Sequence, residues 1–147
     1  MSAGVTQTGR CHCGAVRYRF SGPPRWSCYC HCSDCRRITA SPVTAYFGVA
    51  LDRFDWTGTA PQTYKSSARA TRRFCGTCGT QLAFSHEIFP DEIHLLTATL
   101  DAPEALPPAF HVFTVDQLPW FETTDELPRH HKFLHQTPGA EDPAVKP

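Results

Sequence analysis

The run Cys28-Tyr-Cys-His-Cys-Ser-Asp-Cys35 places four cysteines and one histidine within eight residues. That density exceeds any packing need. A buried free cysteine is an inert small hydrophobe, but four together invite oxidation unless something holds them. Cys32 and Cys35 have two residues between them, the spacing at which two thiolates from one turn face one metal ion. Cys30, two residues before Cys32, can join them from the strand or loop leading in. Cys30, Cys32 and Cys35 are thus candidate ligands of a central zinc. Three protein ligands leave a fourth position for water or substrate, whereas four make a closed structural site. Cys28 decides between the two: if it swings in, the result is a four-cysteine cage without catalysis at the metal.

The ligand set limits the chemistry. Three thiolates around a doubly charged cation leave the site net negative, so it acidifies a bound water less and polarises a carbonyl less than a three-histidine site. Its softness suits a fourth thiolate. Capture of a substrate thiol, which then attacks a small carbonyl compound held beside it, fits better than amide hydrolysis. His31 points away from its cysteine neighbours if the segment is extended, which makes it a surface group or a support for the ligands rather than a ligand. Asp34 is the nearest carboxylate; a helix N-terminal charge is its plain role and a proton relay the sharper one. Arg36-Arg37 and Arg72-Arg73 adjoin the cysteine segments and could hold the carboxylates of a peptide-like thiol, though each also reads as a solvated charge. His94, His111, His130 and His131 have no ligand spacing with the cysteines and are read as core or surface residues.

A second cysteine group is split along the chain. Cys11 and Cys13 precede Gly14, and Cys75-Gly-Thr-Cys78-Gly follows much later. Glycine relieves each turn, and backbone amides there can donate to sulfur. Together Cys11, Cys13, Cys75 and Cys78 complete a four-thiolate, structural tetrahedron. Such a clip closes a long loop and contributes folding energy directly.

These sites need a scaffold, and composition bounds it. The chain has 147 residues, suited to one domain. Apolar residues make up 41%, enough for a modest core, while 13 prolines and nine glycines favour turns and short elements over long helices. Lys plus Arg and Asp plus Glu number 14 each, which argues against a nucleic-acid or membrane-surface binder. The segment Met1 to Arg10 has no apolar run of a signal peptide, and no stretch approaches the roughly 20 apolar residues of a membrane span. A cytoplasmic location is expected, where eight cysteines in close clusters read as metal ligands rather than four disulfides.

Periodicity then places the elements. Val16, Tyr18 and Phe20 alternate with Ala15, Arg17 and Arg19, so a half-buried strand follows Gly14. Ser33 to Ile38 reads as a helical turn with Ser33 as N-cap, ended by Pro42. Strands are expected over Val43 to Val49, Gln62 to Lys65, Ala70 to Phe74, Gln81 to Phe84, Ile93 to Leu100 and Phe110 to Val115. Phe54, Trp56 and the Gly58 turn suggest a hairpin. The expected domain is 8–130, with a His- and Pro-rich tail over 131–147 that frays from Pro138 to Pro147. The fold class is mostly β, a small zinc-pinned domain with short helical turns.

Three ordered motifs carry a resemblance: Gly9-Arg-Cys-His-Cys-Gly-Ala-Val, Cys30-His-Cys-Ser-Asp-Cys-Arg-Arg and Phe74-Cys-Gly-Thr-Cys-Gly-Thr-Gln-Leu. With His111-Val-Phe, Leu118-Pro-Trp-Phe and Asp125-Glu-Leu-Pro, they resemble the glutathione-dependent formaldehyde-activating enzyme family, whose domain is shared with centromere protein V. The resemblance implies an Mss4-like β fold and two zinc ions per chain. It places a structural zinc at Cys11, Cys13, Cys75 and Cys78 and a catalytic one at Cys30, Cys32 and Cys35. It also implies a carbon–sulfur lyase that adds glutathione to formaldehyde, giving S-(hydroxymethyl)glutathione. The expected partner is a small-molecule thiol such as glutathione, with no membrane and no nucleic acid. Cys28 is additional to the family pattern. The competing reading is a non-catalytic, zinc-stabilised binding module. A zinc nucleobase deaminase is excluded by the lack of a His-x-Glu followed by Pro-Cys-x-x-Cys.

Overall fold

The computed structural model describes residues 4–133; the tail expected from Pro138 to Pro147 lies outside them. The chain forms two antiparallel-rich sheets. The smaller contains β1 (Thr6–Arg10), β2 (Arg17–Ser21) and β5 (Phe54–Trp56) in the order β1-β2-β5. The larger has seven strands: β3 (Trp26–Cys30), β4 (Thr44–Ala50), β6 (Gln62–Lys65), β7 (Ala70–Phe74), β8 (Gln81–His86), β9 (Glu92–Leu96) and β10 (Phe110–Val112). Its order is β10-β3-β4-β9-β8-β7-β6, and only the β10–β3 pair is parallel. One α-helix, α1 (Ser33–Thr39), follows β3. The mostly β class with one short helix is as the sequence predicts.

Alternation divides the large sheet into two faces. On β4, Phe47 and Val49 enter a core shared with Val16, with Tyr18 and Phe20 of the small sheet, and with Leu82, Ile93 and Leu95. Burying each of these large side chains contributes about 1.5–3 kcal/mol of transfer free energy. Tyr46 points to the other face, where Cys28, Cys30, Cys35, Val112 and Phe113 form a second cluster. Strand register aligns that face: Cys28 pairs with Tyr46 on one side and with Phe110 on the other.

Several boundaries differ from the sequence expectation. The α1 N-cap is Cys32, not Ser33: its sulfur accepts from the Cys35 amide at 3.2 Å. In place of the hairpin expected around Gly58, β5 pairs with β2, where Phe54 stacks on Tyr18 and Trp56 meets it edge-on. The strand expected to Leu100 ends at Leu96, where residues Thr97–Thr99 tighten into a 3-10 turn. The strand expected to Val115 stops at Val112, because Phe113 adopts a left-handed backbone with φ 57°. Local composition carries none of these signals.

Candidate metal centres

The first cysteine group assembles from two segments 62 residues apart in sequence. Cys11 and Cys13 follow β1, and Cys75 and Cys78 occupy the turn between β7 and β8. All four sulfurs lie within 4.8 Å of one another. Cys11 to Cys13 is 3.6 Å and Cys13 to Cys75 is 3.8 Å. A zinc–sulfur bond of about 2.3 Å sets a tetrahedral edge of about 3.8 Å, so the residues present fit that ion. Gly14 and Gly79 adopt φ of 83° and 81°, which only glycine takes without strain, and these turns aim the sulfurs inward. The Val16 amide donates to Cys11 Sγ at 3.3 Å, and those of Thr77 and Cys78 to Cys75 Sγ at 3.4 Å. The Thr80 hydroxyl and amide hold the Cys78 thiol down to about 5.

The second group is local. Cys30 ends β3, Cys32 caps α1 and Cys35 lies in its first turn. Their three sulfurs lie within 4.8 Å of one another, and Cys30 to Cys35 is 3.5 Å. Among the described residues no fourth Cys, His, Asp or Glu joins them. Cys28 packs beside them on the same face, but its sulfur is not one of the grouped ligand atoms, and burial, then the neighbouring Cys35 and Cys32, push its thiol well up. Soft donors at this spacing fit a three-thiolate ion site. None of the eight cysteines is in a disulfide.

Charge within the trio is uneven. Hydrogen bonds from Cys30 and Cys32, with the Arg72 charge and Tyr46 behind them, hold the Cys35 thiol well below its ordinary range. Arg72 is 6% exposed and donates to the Tyr46 hydroxyl at 3.2 Å. Its guanidinium also lies over the Phe84 ring, 4.7 Å from the centroid. Burial works against that charge, and Tyr46 and Cys35 hold it in place. Arg73, next in sequence, faces the other way and donates to Ser85. Strand periodicity thus splits the Arg72-Arg73 pair, while Arg37 of the other pair lines the same cavity as Arg72.

That cavity holds about 420 Å³, and Cys28, Cys30, Cys32 and Cys35 line it. Asp34 lies at its wall, in the first turn of α1. Its lining also includes the aromatic residues Trp26, Phe84, Phe89, Phe113 and Phe133. His94, one of the histidines read as core or surface, is buried and lines it too, paired with Glu92 at 2.8 Å.

His31 corrects one expectation. It does turn away from Cys30 and Cys32, but it is buried, with 0% exposure, not a surface group. Its Nε2 meets His111 Nδ1 at 2.8 Å, and His111 Nε2 reaches both oxygens of Asp125 at 3.0 Å. Burial, then the charges of His111 and Arg129, hold the His31 ring down to about 4, so it is neutral. Sequence reasoning missed this chain, along with Tyr46. Its one local signal was a histidine between two ligand-type cysteines.

Comparison with known proteins follows the same pattern of residues. Residues 6–116 match the family model described as glutathione-dependent formaldehyde-activating enzyme. An uncharacterized lyase of Schizosaccharomyces pombe is 34% identical over 79 residues, covering 53% of this chain. The match spans 56% of that protein, a little over half its length. A crystal structure of a Rhodobacter sphaeroides protein superposes with a TM-score of 0.54 at 25% identity, covering 64% of this chain and 87% of that one. No helix among the described residues is long and apolar enough to cross a membrane.

Proposed function

The chain belongs to the glutathione-dependent formaldehyde-activating enzyme family, and from that premise we propose that it is a zinc-dependent carbon–sulfur lyase acting on a thiol adduct, such as S-(hydroxymethyl)glutathione formed from glutathione and formaldehyde. One observation carries the reading: the cysteine group with three members opens on a cavity of about 420 Å³. The group with four members is a closed set. The first arrangement suits a reacting centre and the second a structural clip.

A zinc ion at Cys30, Cys32 and Cys35 would supply a soft acceptor for the substrate thiolate in its remaining position. The protein's own residues do the rest. In the addition a sulfur–carbon bond forms, the carbonyl becomes a single C–O bond, and the thiol proton ends on that oxygen. Arg72 offsets the negative charge of the trio at short range, which makes a further thiolate tolerable. Tyr46 accepts from Arg72 and gives its one hydrogen to the Cys35 sulfur, so it steadies the charge of the trio, while the Arg72 guanidinium has further N–H groups to offer a developing alkoxide. Arg37 stands on the cavity wall, where it can pair with a thiol peptide's carboxylate. The second zinc, at Cys11, Cys13, Cys75 and Cys78, would join the end of β1 to the β7–β8 turn and take no part in the reaction.

The test is a glutathione titration of cobalt-substituted protein. The expected result is a saturable increase in sulfur-to-cobalt absorption as a thiolate enters. An unchanged spectrum at millimolar thiol would favour the alternative, a non-catalytic zinc-stabilised binding module.

A further inference from the structure

Formaldehyde has two heavy atoms and needs on the order of twice the roughly 30 Å³ that a water molecule takes in the liquid. The cavity beside the cysteine trio holds about 420 Å³, and Trp26, Phe84, Phe89, Phe113 and Phe133 are among its lining. The wall is continuous. From Cys35 it runs through Tyr46 and Arg72 to Phe84, over which Arg72 sits. Phe84 lies 5.7 Å from His94, which contacts Phe89 at 5.1 Å and Trp26 at 4.6 Å. Phe133 closes the group at 5.4 Å from Phe89. A second cavity of about 230 Å³ shares Trp26, Cys28, Phe89 and Phe133, so the apolar space continues beyond the first.

Glutathione does not account for this lining. It carries two carboxylates and an ammonium group, and charges of that kind are costly to bury against rings. Its charged groups match instead the polar members of the lining, Arg37 for a carboxylate and Asp34 for the ammonium. The aromatic residues of the lining are then left for whatever the thiol adds to.

We propose that the carbonyl substrate is an aldehyde bearing an aromatic or other bulky apolar group, seated among Trp26, Phe84, Phe89 and Phe133, rather than formaldehyde alone. This rests on the lyase reading above. The adduct R–CH(OH)–S–R′ forms by one sulfur–carbon bond, with the thiol proton transferred to the carbonyl oxygen. The reverse step breaks that bond and returns both reactants, so no oxidant or reductant is needed.

The experiment measures glutathione addition to phenylacetaldehyde and to formaldehyde by NMR exchange, using zinc-loaded full chain. Binding of unreactive 2-phenylethanol is read in parallel by saturation transfer, a signal that does not depend on turnover. We expect kcat/KM for phenylacetaldehyde to exceed that for formaldehyde at least tenfold. Phe89→Ala, which truncates a ring in the β8–β9 turn, should lower that ratio at least fivefold and weaken the 2-phenylethanol signal. Phe133→Ala gives the same comparison from a different segment. Turnover of formaldehyde with no preference for phenylacetaldehyde overturns this inference alone, as does a wild-type protein that gives no 2-phenylethanol signal. Turnover of neither aldehyde overturns the lyase reading, and the substrate assignment with it.

Discussion

His31 Nε2 lies 2.8 Å from His111 Nδ1, on the sheet face opposite the cysteines that flank His31 in sequence. The Asp125 carboxylate accepts from His111 Nε2–H, so His111 Nδ1 is the acceptor for His31 Nε2–H. The chain of rings ties the loop that carries Cys30 and Cys32 to β10 and to the segment near Asp125. His111→Ala removes both bonds and leaves His31 buried without a partner, at an expected cost of about 2–4 kcal/mol. Asp125→Asn keeps an acceptor for His111 and should cost about 0.5–1.5 kcal/mol. Denaturant midpoints of the two variants check this; equal midpoints would show that the histidine pair contributes nothing.

Metal content separates the two cysteine groups. Wild-type protein is expected to hold two zinc ions per chain, and Cys32→Ala one. Elemental analysis after gel filtration measures both, and loss of all metal from Cys32→Ala would contradict independent sites.

Stability should divide between the groups as the fold does. The four-cysteine group joins segments far apart in sequence, while the trio lies within one short stretch. A clip on a long loop constrains the unfolded chain more. If Cys75→Ala removes about 3 kcal/mol beyond what Cys30→Ala removes, its Tm falls about 6–12 °C further. Equal melting temperatures in zinc-replete buffer would argue against a structural and catalytic split.

Arg72 tests the charge argument at the trio. Arg72→Met keeps much of the side-chain volume over Phe84 and removes the cation beside Cys35. Half-saturation by glutathione in the cobalt protein should rise on the order of tenfold, equivalent to about 1.4 kcal/mol. Cobalt content should stay that of the wild type. An unchanged titration would mean that Arg72 serves packing alone.

Acid stability should depend on Glu92. Burial alone would raise its pKa, but hydrogen bonds from His94, Arg25 and Trp26 prevail and hold it down to about 2 from 4.5. The unfolded chain therefore takes up a proton below about pH 4.5 that the folded protein resists until about pH 2. The contribution is fully present above pH 4.5 and is lost as pH falls through that window. The difference in Tm between wild type and Glu92→Gln, followed from pH 6 to pH 2, should shrink on acidification. Taking the difference cancels any metal loss common to both proteins. A pH-independent difference would contradict the assignment.

The sequence by itself determined the two cysteine groups and most strands. Cysteine spacing is local chemistry: Cys30, Cys32 and Cys35 meet because one strand end and one helical turn carry them. Alternation in Val16, Tyr18 and Phe20 marks a face because a strand has period two. The remaining features were set by pairing between distant segments. Cys28 stays out of the trio because its register with Tyr46 and Phe110 fixes where its sulfur can reach. Arg72 and Arg73 part because adjacent strand residues face opposite sides of the sheet, and only β7–β8 register tells which side holds the cavity. The parallel β10–β3 pair brings His111 beside Tyr29 and so to His31. Long-range register carries no local signature, since any strand of suitable pattern can pair with any other, and buried area in the whole fold makes the choice.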